Sequence, residues 1–342
     1  MATIFDVATR AGVGVGTVSR VLNDSPLVAD ATRRRVLEVI AELGYRPSSL
    51  ARGLSLGKTS TIGVVAPYFT TASVVERLRG IEAVIKDTEY RFMLLNVENS
   101  EQRNRAFRSI AAGDQTDGAI VVSLHPGVTA HQWAQPVVFL DVRVAGAPSL
   151  FVDNVRGGWL ATRYLLGLGH RRIGFVGDLE DSPHGFTSSS DRRRGFELAL
   201  QEAEIEVPDE YIQRGAHGRD NAHRMTRVLL DLPDRPTAVF AASDVQALGV
   251  LEAVRRAGMQ VPDDLSVIGF DDIEVAAYVG LTTVHQPLEL SGRLAARRLL
   301  DLLAGSSMEV SEERLETEVK VRNSTAPPLE RQTGVPSRHR LE

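Results

Sequence analysis

From residue 61 onward the chain repeats one pattern, a short apolar run followed by a stretch with helical periodicity. The runs TIGVVAP (61–67), FMLLNVE (92–98), GAIVVS (118–123), PVVFLDV (136–142), RRIGFVGD (171–178), TAVFAASD (237–244) and LSVIGFDD (265–272) carry no polar alternation. A strand apolar on both faces must be covered on both, and intervening helices supply that cover, so the pattern dictates parallel sheets with helices on each side. The helical segment GGWLATRYLLGLG (157–169) opens a second series of such units, which predicts two lobes of the same α/β type. Ligands of such sheets lie beyond the carboxyl ends of the strands, here in the cleft between the lobes.

Several polar residues fall at those ends: Pro67 and Phe69 after the first run, Asp141 in FLD, Ser243 and Asp244 in AASD, and Asp271 and Asp272 in GFDD. Arg192 opens a helix near the second lobe's first strand. Carboxylates opposite a guanidinium take vicinal hydroxyls, and an aromatic ring covers the apolar face of a sugar. Each acid alone is equally well read as a helix cap, and only their common placement points to a site.

The first 60 residues have a different texture. Thr3 is a candidate N-cap for a helix with Ile4, Val7, Ala8 and Ala11 on one stripe. Gly12 permits a tight turn and Val13 plugs a small core. A second helix from Val15 to Leu22 turns Val18, Val21 and Leu22 inward and leaves Val15, Gly16, Thr17 and Arg20 outside. A third, from Asp30 to Leu43, buries Val36, Val39, Ile40 and Leu43. This is the layout of a helix-turn-helix, whose second helix enters the DNA major groove by its N-terminus. The formal charge of -5 is unevenly spread: residues 1–60 hold eight basic and five acidic side chains, a net +3, which leaves -8 for the rest. A basic head on an acidic body steers the correct end toward phosphate.

The 342 residues contain no Cys, which excludes disulfide stapling and thiolate metal sites, and neither metal nor cofactor is expected. MATIFDVATR lacks the basic and apolar regions of an export signal, and no apolar run reaches membrane-spanning length, so a cytoplasmic protein is expected. His170 and His285 have no nucleophile or acid at catalytic spacing, so a structural role and a non-enzymatic protein are expected.

DVATRAGVGVGTVSRVLN (6–23), ATRRRVLEVIAELGYRP (31–47) and ARGL (51–54) resemble the lac repressor (LacI/GalR) family in order and spacing. DNVRGG, LGHRRIGFVG, RRRGF, TAVFAASDVQALG, VPDDLSVIGFDD and LTTVHQP extend the resemblance from about residue 2 to 325. It implies a small helical head (1–46), a hinge helix and linker (47–58), and a two-lobed periplasmic-binding-protein-like body for effector binding and dimerisation (59–325); the Pro/Arg-rich composition beyond it predicts a disordered tail (326–342). It also implies a repressor that binds a pseudo-palindromic double-stranded DNA operator as a homodimer under control of a small effector, most simply a sugar.

By the same resemblance Val15, Gly16 and Arg20 are the base-reading positions, while Thr3, Thr17, Ser19, Asn23 and Tyr45 contact phosphate or frame the helix. Arg20 suits a bidentate pair with guanine; Val15 offers only methyl contact, and Gly16 offers no side chain. Gly14 stands where the family usually has a Ser cap. In the hinge, Ser48 caps a short helix, Ala51 allows close approach, Arg52 lies beside the backbone and Leu54 wedges a base step in the minor groove. Asp141, Arg192, Ser243 and Asp271 match effector contacts, Pro67, Thr71 and Leu288 match pocket lining, and His217 falls near a position often aromatic.

Body helices around Ile81–Ile85 and Ala247–Val254 are candidates for the dimer face. Two rival readings use the same fold or head: a solute-binding or sugar-processing protein, and a DNA-packing protein without ligand response. A corepressor-dependent regulator answering to a non-sugar metabolite is a third.

Overall fold

The computed structural model describes residues 2–45, 58–125, 133–179, 187–306 and 311–329. The chain splits into two compact units, residues 1–60 and 61–342.

In the first unit, α1 (Ile4–Ala11), α2 (Val15–Leu22) and α3 (Asp30–Glu42) enclose a core of Val7, Ala8, Ala11, Val18, Val21, Val28, Val36 and Val39. Thr3 and Asp6 form a reciprocal capping box, and the two hydrogen bonds from Thr3 hold the Asp6 carboxyl below its usual range. Gly12 ends α1 in the left-handed conformation, φ 65°, which a side chain would strain. As expected, α2 starts at Gly14 with no side-chain cap. Val15 departs from its expected outward position: it is half-buried and packs on the head core.

The second unit holds two six-stranded sheets. The first lobe contains β1 (Thr61–Pro67), α4 (Ala72–Ile85), β2 (Arg91–Val97), α5 (Ser100–Ala112), β3 (Gly118–Val122), β4 (Val137–Leu140) and β5 (Ser149–Val152). The second contains α6 (Asn154–Gly167), β6 (Ile173–Asp178), α7 (Ser188–Glu202), β7 (Ile212–Gly215), α8 (Arg219–Leu230), β8 (Ala238–Ala241), α9 (Asp244–Arg256), β9 (Ser266–Asp271), α10 (Glu274–Tyr278) and β10 (Thr282–His285). The chain then returns: α11 (Leu288–Leu303) packs on α4 and the first sheet, β11 (Glu312–Leu315) joins that sheet, and β12 (Glu318–Lys320) crosses back. The strand orders are β11-β5-β4-β3-β1-β2 and β12-β10-β9-β8-β6-β7. Every pairing is parallel except β10 with β12.

Two helix pairs, α4 with α11 and α6 with α7, pack on the sheets by close backbone approach. A Cβ on Gly80 would lie 2.0 Å from the Glu289 carbonyl oxygen, and one on Gly292 would lie 2.1 Å from that of Arg77. A Cβ on Gly195 would lie 1.9 Å from the Val155 carbonyl oxygen, and one on Gly158 2.0 Å from that of Arg192. No side chain fits between these backbones.

Three expectations are corrected. The FMLLNVE run is not covered on both faces; it forms an edge strand with Phe92 at the surface. The apolar residues offered for the dimer face, Ile81, Ile85, Ala247 and Val254, are buried in the cores of their own lobes. The order also runs past residue 325, because the Ala326 carbonyl accepts from His170 Nε2 at 2.9 Å and from the Ser266 hydroxyl at 3.0 Å. Residues 330–342 lie outside the described residues, as does the hinge. Among the described residues, no helix is long and apolar enough to cross a membrane and no metal-binding cluster is found.

Candidate functional site: a DNA-reading helix and an interlobe cleft

On α2, Gly16 and Arg20 are exposed and Thr17 and Ser19 are half-buried, while Asn23 caps the helix end at the surface. Arg20 has no ion-pair or hydrogen-bond partner among the described residues, which leaves its guanidinium available for a base edge. Thr3 spends its hydroxyl on the Asp6 carboxylate at 2.8 Å, and Tyr45 packs on the head core. Of the basic run on α3, Arg33 is half-buried: it pairs with the exposed Asp24 at 2.5 Å and donates to the Ser25 carbonyl at 2.6 Å, bracing the α2–α3 turn. Arg34 and Arg35 remain exposed. Ser48, Ala51, Arg52 and Leu54 lie outside the described residues.

In the body, a cleft of about 530 Å³ opens between the lobes at the carboxyl ends of the strands. Seven of the expected effector residues line it: Pro67, Thr71, Asp141, Arg192, His217, Ser243 and Asp271. Phe69 and Leu288 do not. Phe69 points to the surface and donates its backbone N–H to Asn96, and Leu288 is buried as the first residue of α11. The strands end in left-handed residues that face this cleft: Ser123 (φ 52°), Asp141 (φ 61°) and Asp271 (φ 121°), with Tyr68 (φ 41°) just past β1. Side chains in that region are strained, and such strain persists where the fold must aim a group at a ligand.

The polar groups form a connected set. Ser123 donates to Asp141 Oδ2 at 2.7 Å. Arg77 Nη2 lies 2.9 Å from Asp141 Oδ1 but off the hydrogen-bonding direction, so that oxygen and Arg77 Nε are both buried without a hydrogen bond. Arg77 Nη2 donates instead to Gln286 Oε1 at 3.0 Å, and Gln286 Nε2 donates to Asp271 Oδ1 at 2.6 Å. Arg192 lies 3.4 Å from Asp271, donates to Asn154 and the Ala242 carbonyl, and covers the Phe270 ring at 3.6 Å. Burial pushes the Asp271 carboxyl up, against the pull of Arg192 and Arg77. At the rim His217 meets Asp178 at 3.1 Å; burial lowers its pKa, but the bond and charge of Asp178 together with the charge of Asp271 leave it raised.

Ser243 serves two purposes, lining the cleft and capping α9 through the Gln246 N–H at 3.2 Å. Asp244 is wholly buried behind the cleft, accepting from Thr283 at 2.6 Å and from the Ile273 N–H at 2.9 Å. Burial and the neighbouring Asp271 push its carboxyl up to about 8. His170 and His285 are tied to Thr237 and Asp272 respectively, as structural partners.

Sequence reading missed Arg77, Ser123, Asp178 and Gln286 in the cleft. Ser123 and Asp178 end apolar runs, the same signal that singled out Asp141. Arg77 lies inside a helix, where a lone arginine reads as solvent-facing.

The described geometry has close counterparts. Residues 3–48 match the family model "Bacterial regulatory proteins, lacI family", and residues 162–325 match "Periplasmic binding protein-like domain". The chain is 37% identical over 320 residues to the HTH-type transcriptional repressor PurR of Escherichia coli, covering 90% of this chain and 92% of that one. It is similar to the lac repressor dimer bound to operator and the anti-inducer ONPF, with a TM-score of 0.79, 27% identity and coverage of 95% and 99%. It is also similar to the regulator CelR in complex with cellobiose, with a TM-score of 0.68, 33% identity and coverage of 95% and 100%. A LacI-family regulator of Enterococcus faecium with bound ribose aligns at a TM-score of 0.68 and 30% identity over 78% of this chain and 99% of that one. A helix-turn-helix head, a two-lobed body and an extended match at this identity have one meaning: the chain belongs to the lacI family of bacterial regulatory proteins, sequence-specific DNA-binding regulators rather than enzymes.

Proposed function

We propose that this protein is a homodimeric transcription repressor of the cytoplasm that grips a pseudo-palindromic operator and releases or tightens it when a sugar or sugar derivative enters the cleft. The observation that carries this reading is the cleft itself. Carboxylates from both lobes, Asp141 and Asp271, line a cleft of about 530 Å³, each beside a guanidinium of its own lobe at 2.9 and 3.4 Å. That is the donor and acceptor set for vicinal hydroxyls. The cellobiose and ribose of the similar regulators support a carbohydrate here.

In the head, Arg20 reads a guanine, and Val15 and Gly16 add little beyond shape, so discrimination depends on the hinge, with Leu54 as the apolar wedge. A free hinge segment of that length is unstable alone, so a ligand that favours one lobe arrangement shifts its folding and hence the grip. Two heads related by a twofold axis read two half-sites.

The test is operator binding by fluorescence anisotropy, using DNA from upstream of the protein's own gene, with and without a panel of carbohydrates. The full chain binds a palindromic fragment, and one sugar shifts the midpoint at least tenfold. Removal of residues 1–60 abolishes DNA binding and leaves sugar binding intact. DNA binding that survives this deletion, or is indifferent to sequence, sinks the reading.

A further inference from the structure

Arg192 is the expected guanidinium of the cleft; Arg77 is not. Yet the segments around them repeat, Arg77-Leu-Arg-Gly-Ile-Glu82 and Arg192-Arg-Arg-Gly-Phe-Glu197. The repeat is structural as well. Each arginine lies in the helix that follows its lobe's first strand, three residues before a glycine pressed against a neighbouring helix backbone. The Arg77 carbonyl oxygen meets Gly292 of α11, as the Arg192 carbonyl oxygen meets Gly158 of α6. Both side chains are buried, 4% and 7% exposed, and each faces a carboxylate held at a strand end in the left-handed region.

We propose that Arg77 and Asp141 form a second hydroxyl-binding pair, the first-lobe counterpart of Arg192 and Asp271, and that the effector is therefore an uncharged polyol held at both ends. This rests on the carbohydrate reading of the cleft and narrows it. The charges decide the narrowing: each guanidinium already faces a carboxylate, and rim residue His217 faces Asp178. An anionic group arriving at Arg77 meets Asp141 as well, whereas a hydroxyl both donates and accepts, and so satisfies an acceptor and a donor together. Asp141 Oδ1 and Arg77 Nε, both buried without a hydrogen bond, leave the pair with an acceptor and a donor still to satisfy. Gln286 joins the two pairs by accepting from Arg77 and donating to Asp271, so a ligand that re-orients Arg77 is felt in the opposite lobe.

The test uses the full-length protein, calorimetry and a panel of neutral mono- and disaccharides. Each is paired with its aldonic acid or phosphate, such as cellobiose with cellobionate and ribose with ribose 5-phosphate. The expected result is that a neutral member binds and its charged partner binds at least tenfold more weakly. Arg77→Met then weakens the neutral ligand roughly tenfold or more. Because removing one buried charge strands the other, the double variant R77M/D141N serves as the folding control and melts close to wild type while retaining the binding loss. Asp141→Asn alone uncovers the guanidinium and shifts preference toward the charged partner, a change that a merely structural Arg77 would not produce. Preference of the wild type for charged members, or neutral binding by the double variant within twofold of wild type, overturns the proposal. If no member of either half binds, the carbohydrate reading itself falls, a result distinct from binding with the wrong charge preference.

Discussion

The head fills its buried positions with valine and alanine alone, whereas each lobe of the body stacks aromatic rings between sheet and helices. Phe175 meets Phe196 and Phe240 at 5.5 Å in one lobe, and Trp133 packs edge-on against Phe107 and Phe139 in the other. A unit this small, with no large buried side chain among its described residues, has little stability to spare, since small domains bury a small share of their surface. The body has ample volume in its cores, but its helix crossings at Gly80, Gly292, Gly158 and Gly195 leave no room for even a methyl group. The head is thus vulnerable to lost volume and the body to added volume.

The largest expected effect concerns an ionisable group that the body buries whole, where the head buries only valine and alanine. Asp244, raised from 3.8 to about 8, holds its proton in the folded state across the window between those values, where the unfolded chain has lost it. Its contribution is therefore fully present below pH 3.8 and declines as pH rises to about 8, by several kcal/mol in all. Asp244→Asn keeps an acceptor for the Ile273 N–H and a donor toward the Thr283 hydroxyl. Urea denaturation from pH 5 to 9 should show wild type losing stability relative to this variant; parallel curves would remove the protonated carboxyl from the account.

Next in size, Gly195→Ala should cost the body about 3 kcal/mol, because the methyl meets the Val155 backbone at 1.9 Å. Denaturant unfolding followed by the fluorescence of Trp133 and Trp159, both in the body, measures it, and a loss under about 1 kcal/mol would mean that the helices can slide apart. Val36→Ala should cost the head about 2 kcal/mol, enough to abolish operator binding while the body's transition and ligand binding stay unchanged. A body transition that moves with it would end the separation of the two units. The smallest effect runs the other way: Gly14→Ser should stabilise the head by about 0.5 kcal/mol by supplying the missing cap. The backbone there, φ -72° and ψ 153°, suits any residue and nothing lies within 4 Å of a new Cβ. Thermal melts of the head signal would register it as a small upward shift.

Much of this architecture is legible in the residues because local patterns carry it. The strand runs, the two series of α/β units and the three head helices all follow from periodicity, and Asp141 and Asp271 follow from their place at strand ends, whereas Arg192, expected to open its helix, is the fifth residue of α7. What escapes is decided between elements distant in sequence. The apolar stripe of α11 shows that it is buried but not on which sheet; Gly80 and Gly292, 212 residues apart, settle its return to the first lobe. Stripes at Ile81–Ile85 and Ala247–Val254 look alike whether they face a core or a second subunit. Arg33 and Arg77 are charges that periodicity assigns to solvent, and each is instead claimed by a tertiary partner, Asp24 or Asp141. Short strands such as β11 and β12 have too few residues for any pattern to register.

The chain passes between the lobes three times: from β5 into α6, from β10 into α11 and from β11 into β12. Two rigid bodies joined by one tether can swivel, slide and twist about it. Joined by three neighbouring tethers they lose those freedoms and keep only a bend like that of a book along its spine. A molecule entering the open edge therefore acts along that bend, shifting how far the covers are shut by its difference in affinity for the open and shut arrangements.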